Sequence, residues 1–230
     1  MIHDSLHLSI QQLRQSAPVV HCITNYVAMD LTANALLAIG ARPLMSAAIP
    51  EMQDIAQRAD ALLINIGTLD DSFLQAALIA GQTMYEMGKP VVLDPVGIQI
   101  SSYRMQAAMQ IIKTCHPCVI KGNTHEMQVL PSSVSPSPTQ VLVTTGANDY
   151  ITDGARQEQL SGGSPLMTQV TAMGCTAGAM IAAFATIETE PFTAAVQAMQ
   201  LMKQAGQEAV TDKGLGTYRQ QFIDCLSRYA

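Results

Sequence analysis

The chain of 230 residues is 48% hydrophobic and 13% charged, enough to bury the core of an α/β domain and too apolar for a disordered chain. Its formal net charge of -6 excludes a protein that works mainly by neutralising nucleic-acid phosphates, so any anionic ligand must be held by local groups. The opening MIHDSLHLSI lacks a basic stretch and apolar run of the signal-peptide kind, and no window reaches the roughly 18 apolar residues of a membrane span, so the expected location is cytoplasmic with the five cysteines reduced.

In chain order, PVVHCIT (18–24) reads as a buried strand and MDLTANALLAIG (29–40) as a helix ended by Gly40. A strand follows at ARPLMS, then a helix over PEMQDIAQRAD with Pro50 in its first turn, the strand ALLINIG (61–67) and a helix over SFLQAALIAGQTMYEMG. PVVLDPVG (90–97) is a continuous apolar strand ending at Asp94-Pro95. After it come a helix over 101–114 and the strands PCVIKGN (117–123) and QVLVTTG (140–146). NDYITDGARQEQLSGG has the polar turns of a short antiparallel excursion, and helices are expected at 174–188, about 191–211 and 218–228. Near-continuous apolar strands separated by helices predict an α/β fold with a mostly parallel central sheet covered on both faces. The Pro/Ser-rich LPSSVSPSPTQ (130–140) cannot be helical and leaves an unusually short crossover between two parallel strands.

Ligands of open α/β sheets gather outside the carboxyl ends of the strands. Those ends carry Thr24-Asn25, Met45-Ser46, Asn65-Ile66-Gly67-Thr68, Asp94-Pro95, Lys121-Gly122-Asn123 and Thr145-Gly146. Asp94 and Glu126 follow adjacent strands, and two hard carboxylates so placed suit Mg²⁺, which takes one or two carboxylates plus waters and phosphate oxygens. Glu126 also fits the third helical position of a capping box begun by Asn123, and both roles can hold together. In VTAMGCTAGAM, a small-residue turn at Ala172-Met173-Gly174 enters a helix at Cys175. Such a turn offers backbone N–H groups to an anion, and a thiol in a first turn is expected to be pushed towards thiolate. Equally, GCTAGA can be a tightly packed helix start with Cys175 as a small core residue.

Two cysteine arrangements are set aside. Cys115-His116-Pro117-Cys118 has redox spacing, but the order here is helix then strand, so the dipole has the wrong sign. His21 and Cys22 fall inside a strand pattern and read as core or site-wall residues. A cysteine hydrolase using Cys175 with His21 or His125 lacks any feature placing an imidazole beside the thiol.

Several segments together resemble the hydroxyethylthiazole kinase family of ribokinase-like enzymes: VHCITNYV, TANALLAIGARPLM, ADALLINIGTL, GKPVVLDPVG, VIKGNTHE, TTGANDYITDG, PLMTQVTAMGC and GLGTYRQQFIDCL. They span most of the chain in the family's order. The resemblance implies one ribokinase-like domain over 1–230, ATP- and Mg²⁺-dependent phosphorylation of the primary hydroxyl of 5-(2-hydroxyethyl)-4-methylthiazole in thiamine salvage, and a homotrimer with thiazole pockets between subunits. It further implies Cys175 as the catalytic residue, Asp94 and Glu126 at the metal, and Lys121, Thr145 and Asn123 at ATP. Met45, Asn25, Gly67 and Ala172 are implied at the thiazole, and the backbone of Ala172, Met173 and Gly174 as the anion hole.

Three departures from the family pattern accompany it. The turn usually reads Thr-Gly-Thr-Gly-Cys, whereas here Ala172 stands second, where a Cβ requires a negative φ. Lys121 stands where Arg is common, which loses bidentate phosphate recognition and keeps the charge. The segment between Glu126 and Thr145 is shorter than in the family. That shortening raises two alternatives, a thiazole-binding or regulatory relative weakened in catalysis and a kinase for another small vitamin-related alcohol.

Overall fold

The computed structural model describes residues 4–229. In chain order the elements are α1 (Asp4–Ser16), β1 (Val19–Ile23), α2 (Met29–Ala38), β2 (Arg42–Met45), α3 (Met52–Arg58), β3 (Ala61–Asn65), α4 (Asp71–Glu86) and β4 (Val91–Asp94). The second half contributes α5 (Ser102–Cys115), β5 (Val119–Asn123), α6 (Thr124–Gln128), β6 (Val141–Thr145), β7 (Asp149–Thr152), β8 (Gln157–Leu160), α7 (Met173–Phe184), α8 (Pro191–Glu208) and α9 (Leu215–Arg228).

The strands form one sheet in the order β2-β1-β3-β4-β5-β6-β7-β8, parallel from β2 through β6 and closed by the antiparallel pairs β6–β7 and β7–β8. Strand period divides the core in two. Leu63, Val92 and Val119 point to the face covered by α1, α2, α7, α8 and α9, while Leu62, Leu93 and Ile120 point to the face covered by α3, α4 and α5. Strand order reverses at β1, which lies between β2 and β3, so the chain is built with a topological switch point at its β1/β3 edge.

The expected strands and long helices are found within a few residues. Helix α1 was not anticipated, although its signal is present: Leu6, Ile10 and Leu13 recur at helical spacing and are buried. Gly40 ends α2 with φ 93°, as its place in the pattern requires. The β5-to-β6 crossover is made by α6 and an irregular segment held by a single bridge between Ser137 and Gln140. The dozen-residue minimum for a parallel crossover is therefore met with little helix.

Helix α7 runs across the middle of the sheet, against β1, β3, β4 and β5. Its close approach depends on Gly178, where a Cβ would come within 2.9 Å of Leu63 Cδ1 and 3.7 Å of Asp94 Cβ. The start of α7 is thereby pressed against the carboxyl ends of the central strands.

Candidate active site

Strand period explains why the polar strand exits converge. Asn65, Asp94 and Lys121 each lie two residues beyond Leu63, Val92 and Val119, so all three face the α7 side of the sheet. Register puts Asn65 directly opposite Asp94, and Leu93 opposite Ile120, which brings Lys121 beside Asp94. All three are buried at 0%, 0% and 3% exposure, so their polar atoms depend on protein partners.

Asp94 Oδ2 accepts from Asn65 Nδ2 at 2.7 Å and pairs with Lys121 Nζ at 2.9 Å. The ammonium also donates to the carbonyl of Gly174 at 3.0 Å, tying β5 to the first turn of α7. Asn65 Oδ1 accepts from the backbone N–H of Gly67 at 3.0 Å and from Asn25 Nδ2 at 2.9 Å, and the same Asn25 nitrogen donates to Cys175 Sγ at 3.1 Å. A Cβ at Gly67 would come within 2.9 Å of Asn25, so that glycine is what lets the β1 exit reach the β3 exit. The sequence-derived residues Asn25, Gly67, Asp94, Lys121, Gly174 and Cys175 thus form one connected group.

Burial pushes the Asp94 carboxyl up to about 6 against the pull of the Lys121 ammonium, and the nearby Glu126 charge adds to the rise. Burial works to lower Lys121, but the Asp94 carboxylate beside it outweighs burial and holds the ammonium charged. The expectation of a Cys175 thiol pushed towards thiolate is overturned. Burial, and next the Asp94 carboxylate, raise it, and Lys121 and the Asn25 amide only partly compensate.

The negative φ required of Ala172 is also overturned, since it adopts φ 77°, ψ -3° as the residue preceding α7. No side chain caps the helix there. The turn nevertheless closes on itself, with Thr176 N–H donating to Ala172 O at 2.8 Å. The left-handed turn leads Met173, Gly174 and Cys175 into the helix with their N–H groups at its positive end.

The capping-box reading of Glu126 holds. The capping box is complete: Asn123 Oδ1 accepts from Glu126 N–H at 3.0 Å and Glu126 Oε2 accepts from Asn123 N–H at 2.8 Å. The other oxygen, Oε1, accepts from Gly97 N–H at 2.9 Å, which fastens the β4 exit loop to α6. For Mg²⁺ the chain offers two carboxylates, and Asp94 Oδ1 is a buried acceptor with no hydrogen-bond partner, an atom able to serve as a hard oxygen ligand. Among the described residues no three His, Cys, Asp or Glu side chains cluster for a metal.

Next to this group lies a cavity of about 570 Å³ lined by Asn123, Thr145, Asp149, Met173, Gly174 and Lys203, among others. Thr145 Oγ1 donates to Gly122 O at 3.3 Å across β5 and β6. Lys203 and Asp149 were not singled out from the sequence. Lys203 Nζ donates to the carbonyls of Gly146 and Ala147, both at 2.9 Å, and lies 3.3 Å from Asp149 Oδ1, so this pair shapes the β6–β7 turn. A lysine on the mostly apolar buried face of α8, which otherwise carries only Gln197 as a polar side chain, was the available signal. Arg104 was likewise missed: it donates to the carbonyls of Ile66, Gly67 and Val96, clamping the β3 and β4 exits together.

Met45 stands apart from this hydrogen-bonded group, half-buried at the end of the edge strand β2, in register with Cys22. His21 is buried with its ring bound to Ser46 O, away from the thiol. Cys115 and Cys118 are free thiols, with burial raising both.

The fold and the placement of this site at strand exits define a ribokinase-like α/β protein. Solved structures with the same fold include a ribokinase-like superfamily protein from Enterococcus faecalis V583, with TM-score 0.67 at 16% identity, covering 99% of this chain and 90% of that one. The family model of the hydroxyethylthiazole kinase family matches residues 10–134 and 132–230, and the chain belongs to that family. The match breaks in the Pro/Ser-rich segment, where the sequence predicts a shortened crossover. A hydroxyethylthiazole kinase of Nitratidesulfovibrio vulgaris (strain DP4) is 38% identical over 241 residues, covering 95% of this chain and 90% of the relative. One of Leptospira biflexa serovar Patoc (strain Patoc 1 / Ames) is 38% identical over 240 residues, covering 94% and 90%. The hydroxyethylthiazole kinase protein from Pyrococcus horikoshii OT3 superposes with TM-score 0.90 at 32% identity, covering 98% of this chain and 94% of that one.

Proposed function

We propose that the chain, acting as one domain over residues 1–230 in the cytoplasm, transfers the γ-phosphoryl group of ATP to the primary hydroxyl of 5-(2-hydroxyethyl)-4-methylthiazole, in thiamine salvage. The observation that carries the reading, beside family membership, is the contact of Lys121 Nζ with both Asp94 Oδ2 and Gly174 O. It sets a cation, a carboxylate and a helix start around the place where phosphoryl charge would develop.

Phosphoryl transfer needs positioning and charge neutralisation more than covalent help from the protein. The triphosphate lies in the cavity between Asn123, Thr145 and the α7 start, with Lys121 facing the transferred group and the N–H groups at Met173 and Gly174 serving as the anion hole, closed by the Ala172 turn. Asp94 and Glu126 would hold Mg²⁺, which would neutralise phosphate charge when bound. The alcohol is placed by Asn25 and Gly67 beside Cys175. With its pKa raised, Cys175 is a neutral thiol that orients the hydroxyl more than it removes the proton.

The protein works as a homotrimer, with Met45 and the Asn25 loop completing the thiazole pocket at a neighbouring subunit. Support comes from Tyr26 and Val27, two adjacent apolar side chains that follow Asn25 and are 66% and 70% exposed. The shortened crossover lies beyond Glu126 in the chain, so the capping box and both carboxylates are built before it begins.

The test is incubation with Mg-ATP and the thiazole alcohol, following thiazole phosphate by mass spectrometry. Product that disappears in Asp94→Ala is the expected result. Tight thiazole binding without product would overturn the kinase reading in favour of a binding relative.

A further inference from the structure

The polarity of two buried amides is fixed by their surroundings. Asn65 Oδ1 accepts the Gly67 backbone N–H, a group that can only donate, and Asn65 Nδ2 faces Asp94 Oδ2, an oxygen that also accepts from Lys121. The Asn65 amide therefore has one orientation. Its oxygen must in turn meet the NH₂ of Asn25, and that nitrogen is the atom directed at Cys175 Sγ. Asn25 Oδ1 is left buried without a partner, so the arrangement is held by Asn65 and not by satisfaction of Asn25 itself.

We propose that Asn65 is a positioning residue of the phosphotransfer site, the relay that fixes the Asn25 amide so that Cys175 sulfur always receives an N–H and Asp94 keeps one oxygen clear. Asn65 is 0% exposed and reaches the reaction chiefly through the groups it holds, Asn25 and Asp94. The inference rests on the kinase reading for its consequence in turnover, but its effect on Cys175 is independent of that reading.

The test compares Asn65→Leu, Asn25→Ala and the double variant Asn25→Ala/Asn65→Leu. Asn65→Leu keeps much of the side-chain volume and removes the acceptor that holds Asn25 together with the donor to Asp94. Asn25→Ala removes the N–H directed at Cys175, so in its background the relay has nothing left to transmit to the thiol. Three readouts are taken: thermal melting, steady-state kinetics, and the rate at which iodoacetamide modifies Cys175 at fixed pH, followed on its peptide by mass spectrometry.

In Asn65→Leu kcat falls about 10–100-fold, the usual size of a second-layer effect, with little change in KM for ATP. Alkylation of Cys175 slows about tenfold in Asn65→Leu and in Asn25→Ala, the worth of one hydrogen bond to a developing thiolate. The double variant is slowed by less than the product of the two single effects, because Asn65 acts on the thiol through Asn25. An Asn65→Leu variant that melts normally with unchanged kcat and unchanged alkylation overturns the proposal, as does native alkylation in Asn25→Ala or a double variant in which the two effects multiply. If the native protein makes no thiazole phosphate, the kinase reading fails and the alkylation comparison still decides the relay.

Discussion

Lys121 and Asp94 form a buried ion pair, Nζ to Oδ2 2.9 Å, across adjacent strand ends, with the cation also held by Gly174 O. Removing one partner of such a pair leaves an uncompensated buried charge. Asp94→Ala is therefore expected to destabilise the fold by about 3–5 kcal/mol, read from urea unfolding, besides abolishing turnover. Asp94→Asn keeps an acceptor for Lys121 and should lose activity at a visibly smaller stability cost. Equal costs for the two variants would show that the ion pair is not what holds this corner.

Cys175 should behave as a reluctant thiol. Its value is raised by burial and then by the Asp94 carboxylate, so the neutral form persists to higher pH and the nucleophilic thiolate appears late. The iodoacetamide rate at Cys175 is expected to keep rising with pH beyond the range in which a free cysteine, at about 8.5, levels off. A plateau below about pH 8 would contradict the burial argument.

Ala172 carries a methyl group in the left-handed region, φ 77°, at the entrance to α7. That conformation costs a non-glycine residue about 1–2 kcal/mol, part of which glycine gives back as extra freedom in the unfolded chain. Ala172→Gly is expected to raise stability by roughly 0.5–1 kcal/mol, a gain of about 1–4 °C in Tm for a chain of this size, with turnover retained. A fall in Tm would mean that the methyl group packs usefully against the core.

Glu126 uses one oxygen on Gly97 N–H and the other on Asn123 N–H. Glutamine can accept only one of these donors and turns an NH₂ towards the other. Glu126→Gln should lose about 1–3 kcal/mol of stability and raise the Mg²⁺ concentration needed for half-maximal rate. A variant with native Mg²⁺ dependence would reduce Glu126 to a capping role.

Much of this protein could be read along the chain. The alternation of apolar strands and amphipathic helices gave the mostly parallel sheet, and Asp94, Lys121, Asn123 and Glu126 stood out because each follows or ends an apolar run at a strand exit. These are local signals, set by side-chain period and by turn and cap chemistry within a few residues. Helix α1 carried an equally local signal at Leu6, Ile10 and Leu13 that was passed over.

Only the tertiary structure decided what the site is made of. Asn25, Asn65 and Cys175 are separated by 40 and 150 residues in their contacts, and their meeting depends on strand register, on the missing side chain of Gly67 and on the close seat of α7 at Gly178. The rise at the Cys175 thiol and the positive φ of Ala172 reversed local expectations for the same reason. A first helical turn by itself favours thiolate, but burial against Asp94 is a property of the packed fold, and that burial raises the thiol.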